Sequence, residues 1–195
     1  MFDIIHKVVK IYYSAINGVE LDENLINTLP KERRQYVMSI NDDKRKRQSV
    51  FVWKLLESAL KSEFNFGDEI EFYQKDGEWF VNEKNVKFSL SHSNDMVVVA
   101  VSNSRVGVDV ELCSSKILKL AKKFPEINDL DDKIEALTLL WTKKESEYKA
   151  KVLGNSFSEK VFVLNERYVI SACAIDKDAK FICVDIKNLL KGETK

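Results

Sequence analysis

Apolar and polar positions alternate with two different periods along the chain. Val52, Leu55, Leu56, Ala59 and Leu60 recur at three- and four-residue spacing opposite Lys54, Glu57, Ser58 and Lys61, which predicts an amphipathic helix over 44–61, preceded by Asp42-Asp43. Shorter helices are expected around 22–28 and 31–40, the second opened by Pro30, whose fixed φ suits a first helical turn. The β-branched and aromatic residues up to Ile16 predict a strand, ended by Asn17-Gly18. After Gly67 the period falls to two. Residues 70–73 and 78–81 flank Asp76-Gly77, a strong hairpin signal. Strands are then expected at 87–91, 96–101 and 106–112, helical segments at 115–124 and 131–152, and strands near 161–164, 168–175 and 180–186. Helices mixed with mostly antiparallel strands make an α+β arrangement. Its seam is expected at Asn103-Ser104, giving an N-terminal half of 1–103 and a C-terminal half of 104–195.

Composition narrows the class. The 195 residues are 45% hydrophobic and 32% charged, as in a soluble globular protein, and no apolar run approaches the ~18 residues of a membrane span. Scattered charges in residues 1–16 argue against a signal peptide. Cys113, Cys173 and Cys183 are odd in number and lack C-x-x-C spacing, which argues against a disulfide framework or zinc site and for a cytoplasmic setting. The 31 basic residues balance 31 acidic ones, against a bulk nucleic-acid binder. The balance is uneven: 31–54 holds eight basic residues against three acidic, and 126–135 holds five acidic against one basic. Such runs are most often solvated faces.

Three segments break local rules. Strand alternation over Val106-Gly107-Val108-Asp109-Val110-Glu111-Leu112 puts Asp109 and Glu111 on one face, either as two solvent-facing acids or as a platform of hard oxygen ligands for a divalent metal. Gly107 would let a ligand or second backbone approach closely. In helix 133–152, Ile134, Leu137, Trp141, Tyr148 and Val152 form one stripe that Glu145 interrupts. A core-facing carboxylate needs a partner or a metal. A surface pair of Glu145 with Lys149 accounts for the spacing but not for the interruption. The third segment is Ser89-Leu90-Ser91-His92-Ser93, a strand end able to hold phosphate through hydroxyls and an imidazole. No carboxylate lies at a spacing diagnostic of a Ser–His triad. Metal-holding acids, lysines beside them and basic residues 44–47 opening a helix all suit phosphate chemistry, without a Gly-rich phosphate loop.

The order and spacing of these motifs resemble the 4′-phosphopantetheinyl transferases of the surfactin-synthetase-activating (Sfp-like) type. Ser91-His92-Ser93, the apolar strand Val97–Val101, the V-G-V-D-V-E strand 106–111 and the W-T-K-K-E-S-E-Y-K helix 141–149 follow the family's sequence. A weaker match extends upstream to Arg47 and Leu55-Leu56. The resemblance implies a monomer of two similar, pseudo-twofold-related halves with coenzyme A between them. It implies transfer of the 4′-phosphopantetheine arm from coenzyme A to a serine of an apo acyl or peptidyl carrier protein, with release of 3′,5′-ADP. Asp109, Glu111 and Glu145 would then hold Mg²⁺ or Mn²⁺. Lys144 and Lys149 would contact the pyrophosphate, His92 and Arg47 the 3′-phosphate, and Ser91 would help seat the nucleotide. Glu145 is the candidate acceptor of the carrier serine's proton.

The chain departs from the family where G-K-P is usual and Gly77-Glu78-Trp79 stands, in Phe124-Pro125-Glu126, and upstream, where the family's lysines align with Glu32 or Gln35 or else shift to Lys31 and Arg34. These departures motivate the alternative of a relative that binds coenzyme A or a carrier without turnover. A nucleic-acid binder using Lys44–Arg47 is a further alternative, and neither nucleic acid nor membrane is the expected partner.

Overall fold

The computed structural model describes residues 9–67, 69–83, 85–127, 132–151, 158–164, 167–175 and 179–191. The fold is α+β, built in four layers. The first strand, β1 (Val9–Ala15), leads through short helices α1 (Glu23–Asn27) and α2 (Lys31–Met38) into the long helix α3 (Asp43–Phe64). Asp42 caps α3 by accepting the Arg45 N–H at 2.7 Å. The hairpin β2 (Phe72–Lys75) and β3 (Glu78–Val81) turns at Asp76-Gly77, where both residues take positive φ. Its Phe72 and Trp79 rings pack on Trp53 of α3 at 4.8 and 5.0 Å between centroids.

Strands β4 (Lys87–Ser93) and β5 (Met96–Ser102) complete the first sheet, whose order is β4-β5-β1-β9, with β9 at Ala179–Cys183. All its pairings are antiparallel except β1 with β9, which is parallel and brings a strand from late in the chain into the first sheet. The second sheet is β6-β8-β7, from β6 (Val106–Leu112), β7 (Ser158–Leu164) and β8 (Tyr168–Ala174), all antiparallel.

One face of the first sheet, with Tyr12, Val97, Val99 and Val101, packs under α3. Its other face, with Ile11, Met96, Val98 and Ala100, meets Val106, Val108, Val110 and Ile170 of the second sheet. Strand β5 is therefore buried on both faces, which accounts for its unbroken apolar run. Helix α4 (Lys133–Ala150) covers the far side of the second sheet. Among the described residues no helix is long and apolar enough to cross a membrane.

Three expectations require correction. The buried face of α4 runs through Leu137, Thr138, Thr142, Ser146 and Ala150; Tyr148 is 80% exposed. Glu145 thus does not interrupt a core stripe. The large residues Ile134 and Trp141 pack instead beside Phe124 and the 3₁₀ segment Ser115–Lys123. The reason lies in Gly107. A Cβ there would stand 2.0 Å from the Ser146 carbonyl oxygen and 2.4 Å from the Ala150 nitrogen, so α4 lies directly on β6 and only small side chains fit between them. It is a second backbone, and not a ligand, that approaches this glycine. The last predicted strand also ends early, at Cys183. Asp185 caps a short helix, α5 (Ile186–Leu190), by accepting the Lys187 N–H at 2.9 Å. The expected stripe residue Val152 and the acids Asp129 and Asp131 lie outside the described residues.

Candidate active site

At one side of the two facing sheets their edge strands β4 and β6 run beside each other and share no backbone ladder. Alternation turns Ser89, Ser91 and Ser93 of β4 toward β6, and their hydroxyls fill the gap. Ser89 Oγ accepts the Val108 N–H at 3.0 Å and Ser93 Oγ accepts the Leu112 N–H at 3.2 Å. Ser91 donates to Asp109 Oδ1 at 2.7 Å, and Ser93 donates to Glu111 Oε2 at 2.8 Å.

Asp109 is 5% exposed. Its Oδ1 also receives the Lys149 ammonium at 2.7 Å, and that ammonium lies 3.2 Å from the Val108 carbonyl oxygen. Its Oδ2 is buried without a hydrogen-bond partner. An unpartnered buried carboxylate oxygen is costly, so this atom is poised to meet a donor or cation. Glu111 is half-buried two residues along. Burial pushes its carboxyl above the usual range, Asp109 adds to that, and the Ser93 hydroxyl, Lys149 and the Trp141 indole counteract it.

The opposite face of β4 carries Phe88 and Leu90, packed on the α3 core, and His92 at its end. His92 projects an exposed ring from it. Partial desolvation, followed by the charges of Lys149, Arg33 and Arg45, holds the imidazole below the ordinary histidine range. Arg33 donates to the Ser49 carbonyl and hydroxyl of α3 at 3.0 and 2.7 Å, and its guanidinium stacks 5.0 Å from the Trp53 ring centroid. Burial lowers its pKa. The positive charges of Lys149, Arg33 and Arg45 all act on this imidazole, an environment that favours an anion.

No protein-family model matches the chain. It is 30% identical over 145 residues to the 4′-phosphopantetheinyl transferase gsp of Aneurinibacillus migulanus, an alignment taking in 67% of this chain and 61% of that protein. The chain is similar to a phosphopantetheinyl transferase. It spans about three fifths of that relative's length. The similarity supports the 4′-phosphopantetheinyl transferase family as a whole, not the surfactin type within it.

The residues expected for such an enzyme separate into two sets. Asp109, Glu111, Ser91 and Lys149 come together, with His92 close enough for the Lys149 charge to act on it. Glu145 does not join the two carboxylates: among the described residues, no three His, Cys, Asp or Glu side chains are grouped to hold a metal ion. Lys144 lies over the Phe124 ring, 4.4 Å from its centroid. Arg47 turns to the β4–β5 turn, 3.5 Å from Asp95 Oδ1, and donates to the Val19 carbonyl at 3.4 Å.

Arg33 and Arg45 accompany His92, a grouping that sequence reasoning missed. Helical phase offered a signal for Arg45, since Arg45, Ser49 and Trp53 stand at successive four-residue steps of α3. Nothing local marks Arg33, which arrives from α2. At the departure from G-K-P, Glu78 forms an ion pair with Lys151 at the end of α4.

The carboxylate pair fits a divalent cation in donor chemistry. Asp109 and Glu111 are hard oxygen donors on a rigid strand, and Asp109 Oδ2 lacks any partner.

Proposed function

We propose that this chain transfers the 4′-phosphopantetheine arm of coenzyme A to a serine hydroxyl of an apo acyl or peptidyl carrier protein, releasing 3′,5′-ADP, with Mg²⁺ or Mn²⁺ as cofactor. The observation that carries the reading is the buried Asp109 with one oxygen saturated and the other free, beside Glu111 and Lys149. The similarity to a phosphopantetheinyl transferase supports it independently. Asp109 and Glu111 would hold the metal; Glu145, which stands apart from them, is left for proton transfer. When bound, the ion would neutralise pyrophosphate oxygens.

The chain's own residues divide the remaining work. Lys149, and Lys144 from the exposed side of α4, would face the pyrophosphate and stabilise charge on the departing 3′,5′-ADP phosphate. His92 with Arg33 and Arg45 would receive the 3′-phosphate, since a guanidinium pairs well with phosphate. Arg47, engaged by Asp95, would orient the turn beside them. Glu145 is the candidate to take the carrier serine's proton as its oxygen bonds to phosphorus and the bond to the 3′,5′-ADP phosphate breaks.

Two halves divided near residue 103 would be related by a pseudo-twofold axis. That organisation is favoured by a long helix on the outer face of each of two facing sheets. The protein would act as a cytoplasmic monomer. The test is to incubate it with coenzyme A, Mg²⁺ and a panel of apo carriers, then weigh the carriers by mass spectrometry. Gain of the phosphopantetheine arm is the expected result. Coenzyme A binding with no carrier modified would contradict turnover.

A further inference from the structure

We infer that Ser91 and Ser93 are positioning residues that select which oxygens of Asp109 and Glu111 face a divalent cation; the inference rests on the function proposed above. The hydrogen bonds on β4 and β6 determine the hydroxyl directions. Ser93 Oγ already accepts the Leu112 N–H, so its single proton goes to Glu111 Oε2, 2.8 Å away. That bond occupies Oε2 and fixes the rotation of the carboxylate. Ser91 gives its proton to Asp109 Oδ1, which Lys149 also occupies, and Oδ2 is left as the free, buried oxygen.

Serine suits both positions because each side chain reaches one atom beyond its own strand, across a seam with no backbone ladder. Two-residue periodicity on both strands then pairs Ser91 with Asp109 and Ser93 with Glu111. Hydroxyls of this kind orient metal ligands, and their loss typically weakens metal binding by about 10–100-fold.

Ser89 supplies a matched control. Like Ser93, it accepts a backbone N–H from β6, at Val108, but it bonds no carboxylate. A merely structural role therefore predicts the same outcome for Ser89→Ala and Ser93→Ala.

The test measures Mn²⁺ affinity by isothermal titration calorimetry and electron paramagnetic resonance, with thermal melts confirming folding. Wild type, Ser89→Ala, Ser91→Ala, Ser93→Ala, Ser93→Thr and Asp109→Ala are compared. The expected result is about tenfold weaker Mn²⁺ binding in Ser91→Ala and Ser93→Ala, restoration in Ser93→Thr, and no change in Ser89→Ala. Ser91→Ala removes no backbone bond, so it reports even if Ser93→Ala folds poorly.

Wild-type affinity in both Ser91→Ala and Ser93→Ala, with binding lost in Asp109→Ala, would overturn this inference alone. Equal weakening in Ser89→Ala and Ser93→Ala would also overturn it. Absence of Mn²⁺ binding by wild type would overturn the metal-dependent function and this inference with it.

Discussion

The Lys149 ammonium lies 2.7 Å from Asp109 Oδ1, joining α4 to β6 across forty residues of chain. Asp109 has 7% of its side chain exposed and Lys149 27%, so the pair is shielded on the acid side and reachable on the basic side. Lys149→Ala would strand a buried carboxylate. Because Lys149 keeps access to water, the expected cost is about 1–3 kcal/mol, below that of breaking a fully buried pair. Urea unfolding at neutral pH measures it. Turnover should fall as well, and recovery of stability in Lys149→Arg without full recovery of turnover would separate the two roles.

Gly107→Ala tests the contact that brings α4 onto β6. Its Cβ would meet two backbone atoms, neither of which can rotate away. Displacing the helix should cost ~3 kcal/mol or more and separate Lys149 from Asp109. A thermal melt should show a large fall in Tm, together with loss of activity in whatever protein stays folded. An unchanged Tm would contradict the described packing.

The His92 imidazole titrates below its ordinary value, so acidification reveals its surroundings. In the interval between that lowered pKa and about 6.5, the unfolded chain binds a proton that the folded protein refuses. Stability therefore rises with pH through this interval and is lost as pH falls through it. A bound phosphate favours the imidazolium and reverses the sign. Affinity for 3′,5′-ADP should increase from pH 8 to pH 6, and His92→Gln should flatten that slope in calorimetric titrations.

Tyr168 of β8 receives the side-chain amide of Asn94 at 3.1 Å and faces the Asp95 N–H at 3.4 Å, so the second sheet steadies the turn after Ser93. Gln48 of α3 holds the same turn by donating to the Asn94 carbonyl at 2.6 Å. Tyr168→Phe should cost about 0.5–1.5 kcal/mol in stability and raise the KM for coenzyme A more than it lowers kcat. A fall in kcat with KM unchanged would place the effect in the chemical step instead.

Much of this arrangement is legible in the sequence because it is local. Alternation alone puts Asp109 beside Glu111 and Ser91 beside Ser93, and Asp76-Gly77 announces the hairpin. What fails is the reading of α4. A stripe of large apolar side chains predicts the buried face only when helix and sheet stand at ordinary separation. Gly107 brings the backbones together, and Thr138, Thr142, Ser146 and Ala150 become the packed face. The basic cluster is illegible for a different reason. Arg33 reaches Ser49 and the surroundings of His92 through tertiary packing, whereas Arg47, which the motif favours, is drawn to Asp95. The serine seam combines both cases: its period is visible in the sequence, and its partner strand is not.

The proposed reaction consumes one coenzyme A and releases one 3′,5′-ADP for each carrier serine modified. The decisive measurement follows both products in one mixture of protein, coenzyme A, Mg²⁺ and an apo carrier, by intact-mass spectrometry and chromatography. Equal amounts of holo-carrier and 3′,5′-ADP are expected, both abolished by chelating the metal and reduced at least ~100-fold by Asp109→Ala. A carrier modified equally well by Asp109→Ala, or no carrier modified by wild type, would contradict the proposed reaction.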